Sequence, residues 1–209
     1  GQVLTSAGAG AAAAWEDISG GISFKQGGTN FTNGLIVGHS TTGTLNGALG
    51  NIGLGITVLD AVTSGDYNTA IGLETGSAIT SGTGNTGVGT SALKVVSTGH
   101  YNTTIGSAAG KLITGGYNTC LGSYAGDNIT SGDGNVIIGN VDADSATGNA
   151  QLKITSYDGS TTVNWVAGDS SGNLVFPADV TLGDDLLLDS DSCVLKFGDD
   201  QDVTLTHTD

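Results

Sequence analysis

Carboxylates are the side chains with most chemistry to offer in this chain, and their placement decides what they can do. Between positions 33 and 140 they are Asp60, Asp66, Glu74, Asp127 and Asp133. Glycoside hydrolysis needs two carboxyls converging on one bond, one as acid and one as nucleophile or base. No two of these five share a column on neighbouring copies of the repeat described below, so no catalytic pair is expected. His39, His100 and His207 are scattered, without a nucleophile arranged around them. The chain therefore reads as a non-enzyme.

Metal chemistry is weighed the same way. Asp184, Asp185, Asp189 and Asp191, followed by Asp199, Asp200 and Asp202, offer oxygen ligands of the kind calcium takes. They lack the spacing of an EF-hand loop or a GGxGxD repeat, so they read first as solvated turn acids, with calcium as the alternative and no other cofactor expected. Cys120 and Cys193 show neither metal-ligand nor redox spacing, and a buried free thiol is the simpler reading. Two patterned sets remain. Tyr67, Tyr101 and Tyr117 recur as an aromatic stripe that could stack on sugars, making them the candidate glycan contacts. Gly50, Gly84 and Gly134 interrupt that stripe, which favours packing. Thr69, Thr86, Thr103 and Thr119 form a file of the type found on ice-binding faces, but also common in ordinary strands.

Composition narrows the partners. With 20 acidic residues against five lysines and no arginine, the formal charge is −15. That excludes the basic stripe on which nucleic-acid affinity rests. No apolar run is long enough for a membrane span. There are 37 glycines and one proline, and the aliphatic residues are periodic, which separates this chain from a disordered one.

The elements that position all of these residues come from an internal repeat over 33–140. Asn51, Asn68, Asn85, Asn102, Asn118 and Asn135 recur in steps of 17, 17, 17, 16 and 17 residues. Four residues after each stands a glycine: Gly55, Gly72, Gly89, Gly106, Gly122 and Gly139, with Gly38 extending the column backwards. The residue before each glycine is aliphatic (Val37, Leu54, Ile71, Val88, Ile105, Leu121, Ile138). A second aliphatic column follows the glycine by seven (Leu45, Val62, Ile79, Val96, Ile113, Ile129). A unit this short cannot hold two helices. It predicts two short strands per copy, each with one inward aliphatic residue, stacked as rungs of an all-β solenoid or β-roll. Rungs ~4.8 Å apart would give seven copies a length of roughly 30 Å. The aligned asparagines predict an amide ladder, and the glycines a corner with positive φ or close backbone contact. Small residues two after each Asn (Gly53, Ala70, Gly87, Thr104, Cys120, ending in Ile137) predict a second packed face, against another chain or open to water.

Around the repeat, residues 1–32 read as an entry or linker segment with Trp15 as a packing anchor. Residues 141–150 read as a polar hinge. Residues 151–209 read as a second region of short alternating strands resembling a fibrous β shaft, continuing past this piece of a longer chain.

The copies NTAIG…AIT, NTTIGSAAGKLIT and NTCLGSYAGDNIT resemble the Asn-Thr-x-aliphatic-Gly-x-x-Ala-Gly repeats of tailed-bacteriophage tail fibres. GQVLTSAGAGAAAAWE resembles a linker element of such fibres, and LLLDSDSCVLKFGDDQDVTLTHTD resembles shaft sequence from marine-phage structural proteins. Together the patches span about three-quarters of the chain. The head repeats of trimeric autotransporter adhesins are similar in kind, with a shorter period. The resemblance implies an elongated homotrimer in a virion tail fibre, attached to other tail or baseplate proteins and presenting a surface to a host glycan. It departs from a complete receptor-binding fibre in having no evident globular tip or chaperone-like domain. The alternatives are a bacterial cell-surface adhesin or extracellular filament subunit, and an ice- or glycan-binding solenoid.

Overall fold

The computed structural model describes residues 24–28, 31–37, 46–177 and 180. The expectations for Trp15, Gly38, His39, Leu45, the Asp-rich turns of 184–202, Cys193 and His207 lie outside them, as does most of the 1–32 segment. By contacts the chain divides into two units, 1–178 and 179–209, and every described strand belongs to the first. Among the described residues the structure is all-β with no helix.

Two strands open the sheet: β1 (Phe24–Gly28) pairs antiparallel with β2 (Phe31–Val37). After the short β3 (Ala48–Leu49) come six three-residue strands. They are β4 (Ile52–Leu54), β5 (Thr69–Ile71), β6 (Thr86–Val88), β7 (Thr103–Ile105), β8 (Thr119–Leu121) and β9 (Val136–Ile138). Each pairs parallel and in register with its neighbour one repeat away, Thr69 on Thr86 on Thr103 on Thr119. This is a β-solenoid of about seven turns, as the period predicts.

One strand forms per rung, not two. The second aliphatic column (Val62, Ile79, Val96, Ile113, Ile129) is fully inward, yet it lies in consecutive turns. Those turns satisfy their backbone groups by bonding to the next rung, as when Thr63 N–H donates to the Thr80 carbonyl at 3.0 Å. They need a left-handed backbone at fixed places. Thr57, Glu74, Ser91, Ala108 and Tyr124 share one such position at φ 52–59°.

The strand parity is the reverse of the expectation. Leu54, Ile71 and Ile105, the aliphatic residues before the glycines, point outward and are 39–52 % exposed. The small-residue column points inward: Ala70, Thr104, Cys120 and Ile137 are 0–2 % exposed. Side chains alternate along a strand, so a buried Asn at the start forces the second residue after it inward and the third outward. The interior is thin and rewards small side chains there. A Cβ added at Gly87 would meet Thr75 Cγ2 of the preceding rung at 2.8 Å and Leu93 Cδ1 at 3.3 Å. In the following rungs the sizes are exchanged, with Thr104 opposite Gly110 and Cys120 opposite Gly126. In these rungs strand and turn share the width, large against small, whereas beside Ala70 the turn glycine Gly76 is packed by Ile79 and Leu59.

The stretch read as a hinge, 141–150, carries the turns of one more rung. Ala143 is 4 % exposed, and the Ala146 carbonyl accepts from Thr130 N–H. β10 (Leu152–Tyr157) then continues the parallel ladder on β9 before turning antiparallel onto β11 (Thr162–Gly168), which pairs with β12 (Leu174–Val175).

Candidate functional site

The repeat asparagines form the spine that positions everything else. Asn51, Asn68, Asn85, Asn102, Asn118 and Asn135 are 0–1 % exposed. Each Oδ1 accepts two bonds from the next Asn, one from its backbone N–H and one from its Nδ2, all at 2.9–3.0 Å. Nδ2 then donates its second hydrogen to the carbonyl of the Gly that closes its own rung, Gly65 at 2.8 Å through Gly132 at 2.9 Å. Gln151 ends the series. Its N and Nε2 both donate to Asn135 Oδ1, and Nε2 goes on to the Ser145 and Gly148 carbonyls. The longer amide caps a ladder that the sequence marks only by a 16-residue step from Asn135.

At the corner glycines the rungs touch backbone to backbone. Gly72 has φ 130°, and a Cβ there would come within 2.8 Å of the Gly89 carbonyl carbon. The other described members, Gly55, Gly89, Gly106, Gly122 and Gly139, are held at φ 109–142°. These residues hold the stack together and offer no chemistry of their own.

Three features face outward. The first is the sheet face of β4–β9. Its outward positions are Ile52, Leu54, Thr69, Ile71, Thr86, Val88, Thr103, Ile105, Thr119, Leu121, Val136 and Ile138. Not one of the twelve is charged. Ile56 and Leu73, just past the corner glycines, are 62 % and 46 % exposed. With about six strand spacings of ~4.8 Å from β2 to β9, and a strand length near 10 Å, the apolar footprint is roughly 300 Å².

The second is the tyrosine column. Tyr67, Tyr101 and Tyr117 occupy a left-handed position with φ 56–61°, the position that Gly50, Gly84 and Gly134 hold at φ 66–70°. Each ring leans toward the preceding rung. A Cβ on Gly50 would strike the Tyr67 ring at 2.8 Å, and one on Gly84 the Tyr101 ring at 2.7 Å. Tyr117 finds Tyr101 beneath it and stacks at 5.3 Å between centroids. The glycines that seem to break the stripe are therefore the surfaces on which two of its rings rest.

The third is a pair of carboxyls that the sequence did not reveal, because one member lies in the stretch read as a hinge. Asp127 lies beside Asp142, and both line one cleft. Burial first, and then the neighbouring Asp142 carboxyl, push Asp127 up to about 6, with Lys111 opposing. The two line a cleft of about 490 Å³ with Tyr124, Asn140, Val141, Lys153, Thr162 and Asn164. Lys153 also pairs with Asp144. The other repeat acids are used singly. Asp66 accepts from Leu49 N–H at 2.8 Å, and Glu74 pairs with Lys94 at 2.7 Å. Among the described residues no group of three or more metal-ligating side chains converges, and no helix is long and apolar enough to cross a membrane.

No protein-family model, curated protein or solved structure matches this chain.

Proposed function

We propose that this chain is a non-catalytic structural protein whose solenoid packs against copies of itself, as part of a homotrimeric tail fibre of a bacteriophage. The observation that carries the reading is the outward face of β4–β9: twelve positions filled only by aliphatic residues, valine and threonine, in a chain of net charge −15. At roughly 300 Å² the face matches the largest apolar patch of a typical monomer, the kind that is often functional, and its uncharged run over six strands in an acidic chain supports an interface. The strands of the face are parallel and in register, which suits a copy running alongside. The number three, the virion tail or baseplate proteins as further partners, and the tail-fibre location on the virion all rest on the resemblance of the Asn-Thr-x-aliphatic-Gly copies to fibre repeats. A cell-surface adhesin or filament subunit would use the same face, and an anchor or secretion signal in the full-length gene would favour it.

Light scattering on the purified chain tests the assembly. The expected mass is three times 20.5 kDa. Ile71→Asp and Ile105→Asp, which put charge at the centre of the face, are expected to release folded monomers. A wild-type chain that is a stable folded monomer would refute the reading. Measuring thermal hysteresis would then come next, because the in-register file Thr69, Thr86, Thr103, Thr119 on that face favours ice binding as the second reading.

A further inference from the structure

A left-handed backbone is strained for tyrosine and free for glycine, yet three rungs carry tyrosine where three others carry glycine. For Tyr67 and Tyr101 a bare glycine backbone under the ring offers one return. Tyr117 rests on Tyr101, and its opposite face looks toward the next rung. There stands Gly134, where an added Cβ would meet no atom within 4 Å. The following member of the column is Ala150, held at φ 51°. Ala150 N–H donates to the Asp133 carbonyl, just as Tyr117 N–H donates to that of His100. From the Tyr117 level to the Ala150 level is two rung spacings, or about 10 Å. This leaves a slot with an aromatic wall, a glycine floor and a polar rim. Asp133 is exposed beside it; its Oδ1 accepts from Gly116 N–H at 2.6 Å, and among the described residues its Oδ2 holds no partner. Asn149 completes the rim, its Oδ1 accepting from Asp133 N–H at 2.9 Å.

We propose that this slot, walled by Tyr117 and floored by Gly134, binds a pyranose ring of a neutral or amino sugar. The aliphatic face of a sugar stacks on an aromatic ring while its edge hydroxyls need acceptors, and Asp133 and Asn149 supply them. The charge of the chain selects among planar or ring-shaped ligands. With −15 overall and a carboxylate on the rim, phosphate-bearing nucleotides and acidic sugars are repelled. The site gives the fibre reading a ligand but does not depend on it.

Saturation-transfer NMR on the intact 209-residue chain tests the proposal, with chitotriose and maltotriose as neutral probes and glucosamine as the cationic one. The wild type is expected to transfer magnetisation to the ring C–H protons of at least one probe. Tyr117→Gly should weaken that binding roughly tenfold or more, the scale of one aromatic contact. It should fold normally, since glycine holds the equivalent position in three rungs. Gly134→Tyr should also abolish binding, by laying a fourth ring over the slot with Tyr117 intact, and Tyr67→Gly should leave it unchanged. Absence of transfer from the wild type to all three probes, or equal transfer in Tyr117→Gly, would overturn the site. A trimer without a sugar signal sinks the site and leaves the assembly standing. A monomer with one does the reverse.

Discussion

Asn102→Ala cuts the spine in its middle, and its cost follows from the bonds removed. The Asn102 side chain donates to Asn85 Oδ1 and the Gly115 carbonyl, and accepts from Asn118 N–H and Nδ2, all at 3.0 Å. Truncation leaves the Asn118 N–H and the Gly115 carbonyl without these partners inside the stack, while Asn118 Nδ2 keeps Gly132. A buried polar group stripped of its partner costs about 1–3 kcal/mol, so two give about 4 kcal/mol, a large share of a typical 5–15 kcal/mol stability. In a unit of this size that lowers the melting temperature by roughly 10 °C. The assay is thermal unfolding followed by far-UV circular dichroism, at one fixed protomer concentration because assembly also stabilises. Asn102→Asp sharpens it. The shape is kept, but a carboxylate would face two acceptors, so the proton is retained in the fold and the pKa rises. Stability is then present at acid pH and lost as pH rises through the raised value. A loss below about 1 kcal/mol in Asn102→Ala would mean that the amide ladder is not what holds the rungs.

Gly87→Thr is expected to destabilise the fold by about 2–3 kcal/mol through overpacking, first against Thr75 Cγ2, 2.8 Å from an added Cβ, and then against Leu93. Thr75→Ser in the same chain removes the nearer methyl, keeps the hydroxyl bonded to the Gly89 carbonyl, and should recover part of that; a double-mutant cycle in denaturant measures the coupling. Thr104→Val should stabilise by about 1 kcal/mol, because Thr104 Oγ1 is buried without a partner, and chemical denaturation reads the change. The Asp127 pair makes acid stabilising: its folded pKa of about 6 lies above the ordinary 3.8, so its contribution is full below about 3.8 and fades as pH rises through 6. Melting temperatures across that window should fall more steeply with pH in the wild type than in Asp127→Asn. Burial pushes the Cys120 thiol up to about 12, so in a Cys193→Ser chain a thiol reagent at neutral pH should label Cys120 only at the rate of local opening.

Much of this architecture is legible in the residue types. The Asn and Gly columns fix the period, and both behave as side-chain chemistry demands: amides bond to amides, and corners without a Cβ let backbones meet. The Val62–Ile129 column is likewise buried as read. Parity is not legible from hydrophobicity, because the outward face, with Leu54, Ile71 and Ile105, is more apolar than the inward one, with Gly53, Ala70 and Gly87. A rule that sends greasy residues inward inverts such a strand. The signal that could have found it is the size exchange between strand and turn, Gly87 with Leu93 against Thr104 with Gly110 and Cys120 with Gly126, as a shared interior imposes. The last rung escaped notice because Gln151 stands where Asn is expected. The Asp127–Asp142 pair escaped with it, since its second member lies in that rung.

The rung from Asn102 to Asn118 has 16 residues where its neighbours have 17, and its Asn still donates to the closing glycine at 3.0 Å. The missing residue comes out of the Thr114–Gly115 corner, while the strand keeps its register. The molecule thus separates a part that measures from a part that absorbs error. A whole copy gained or lost changes the length of the stack by one spacing, about 4.8 Å, and leaves every lateral surface in phase. The single residue lost at this corner leaves the strand register, and so the face of the sheet, unchanged. Length in such a protein is a counted quantity, open to revision by duplication of short coding units without any redesign of what the sides display.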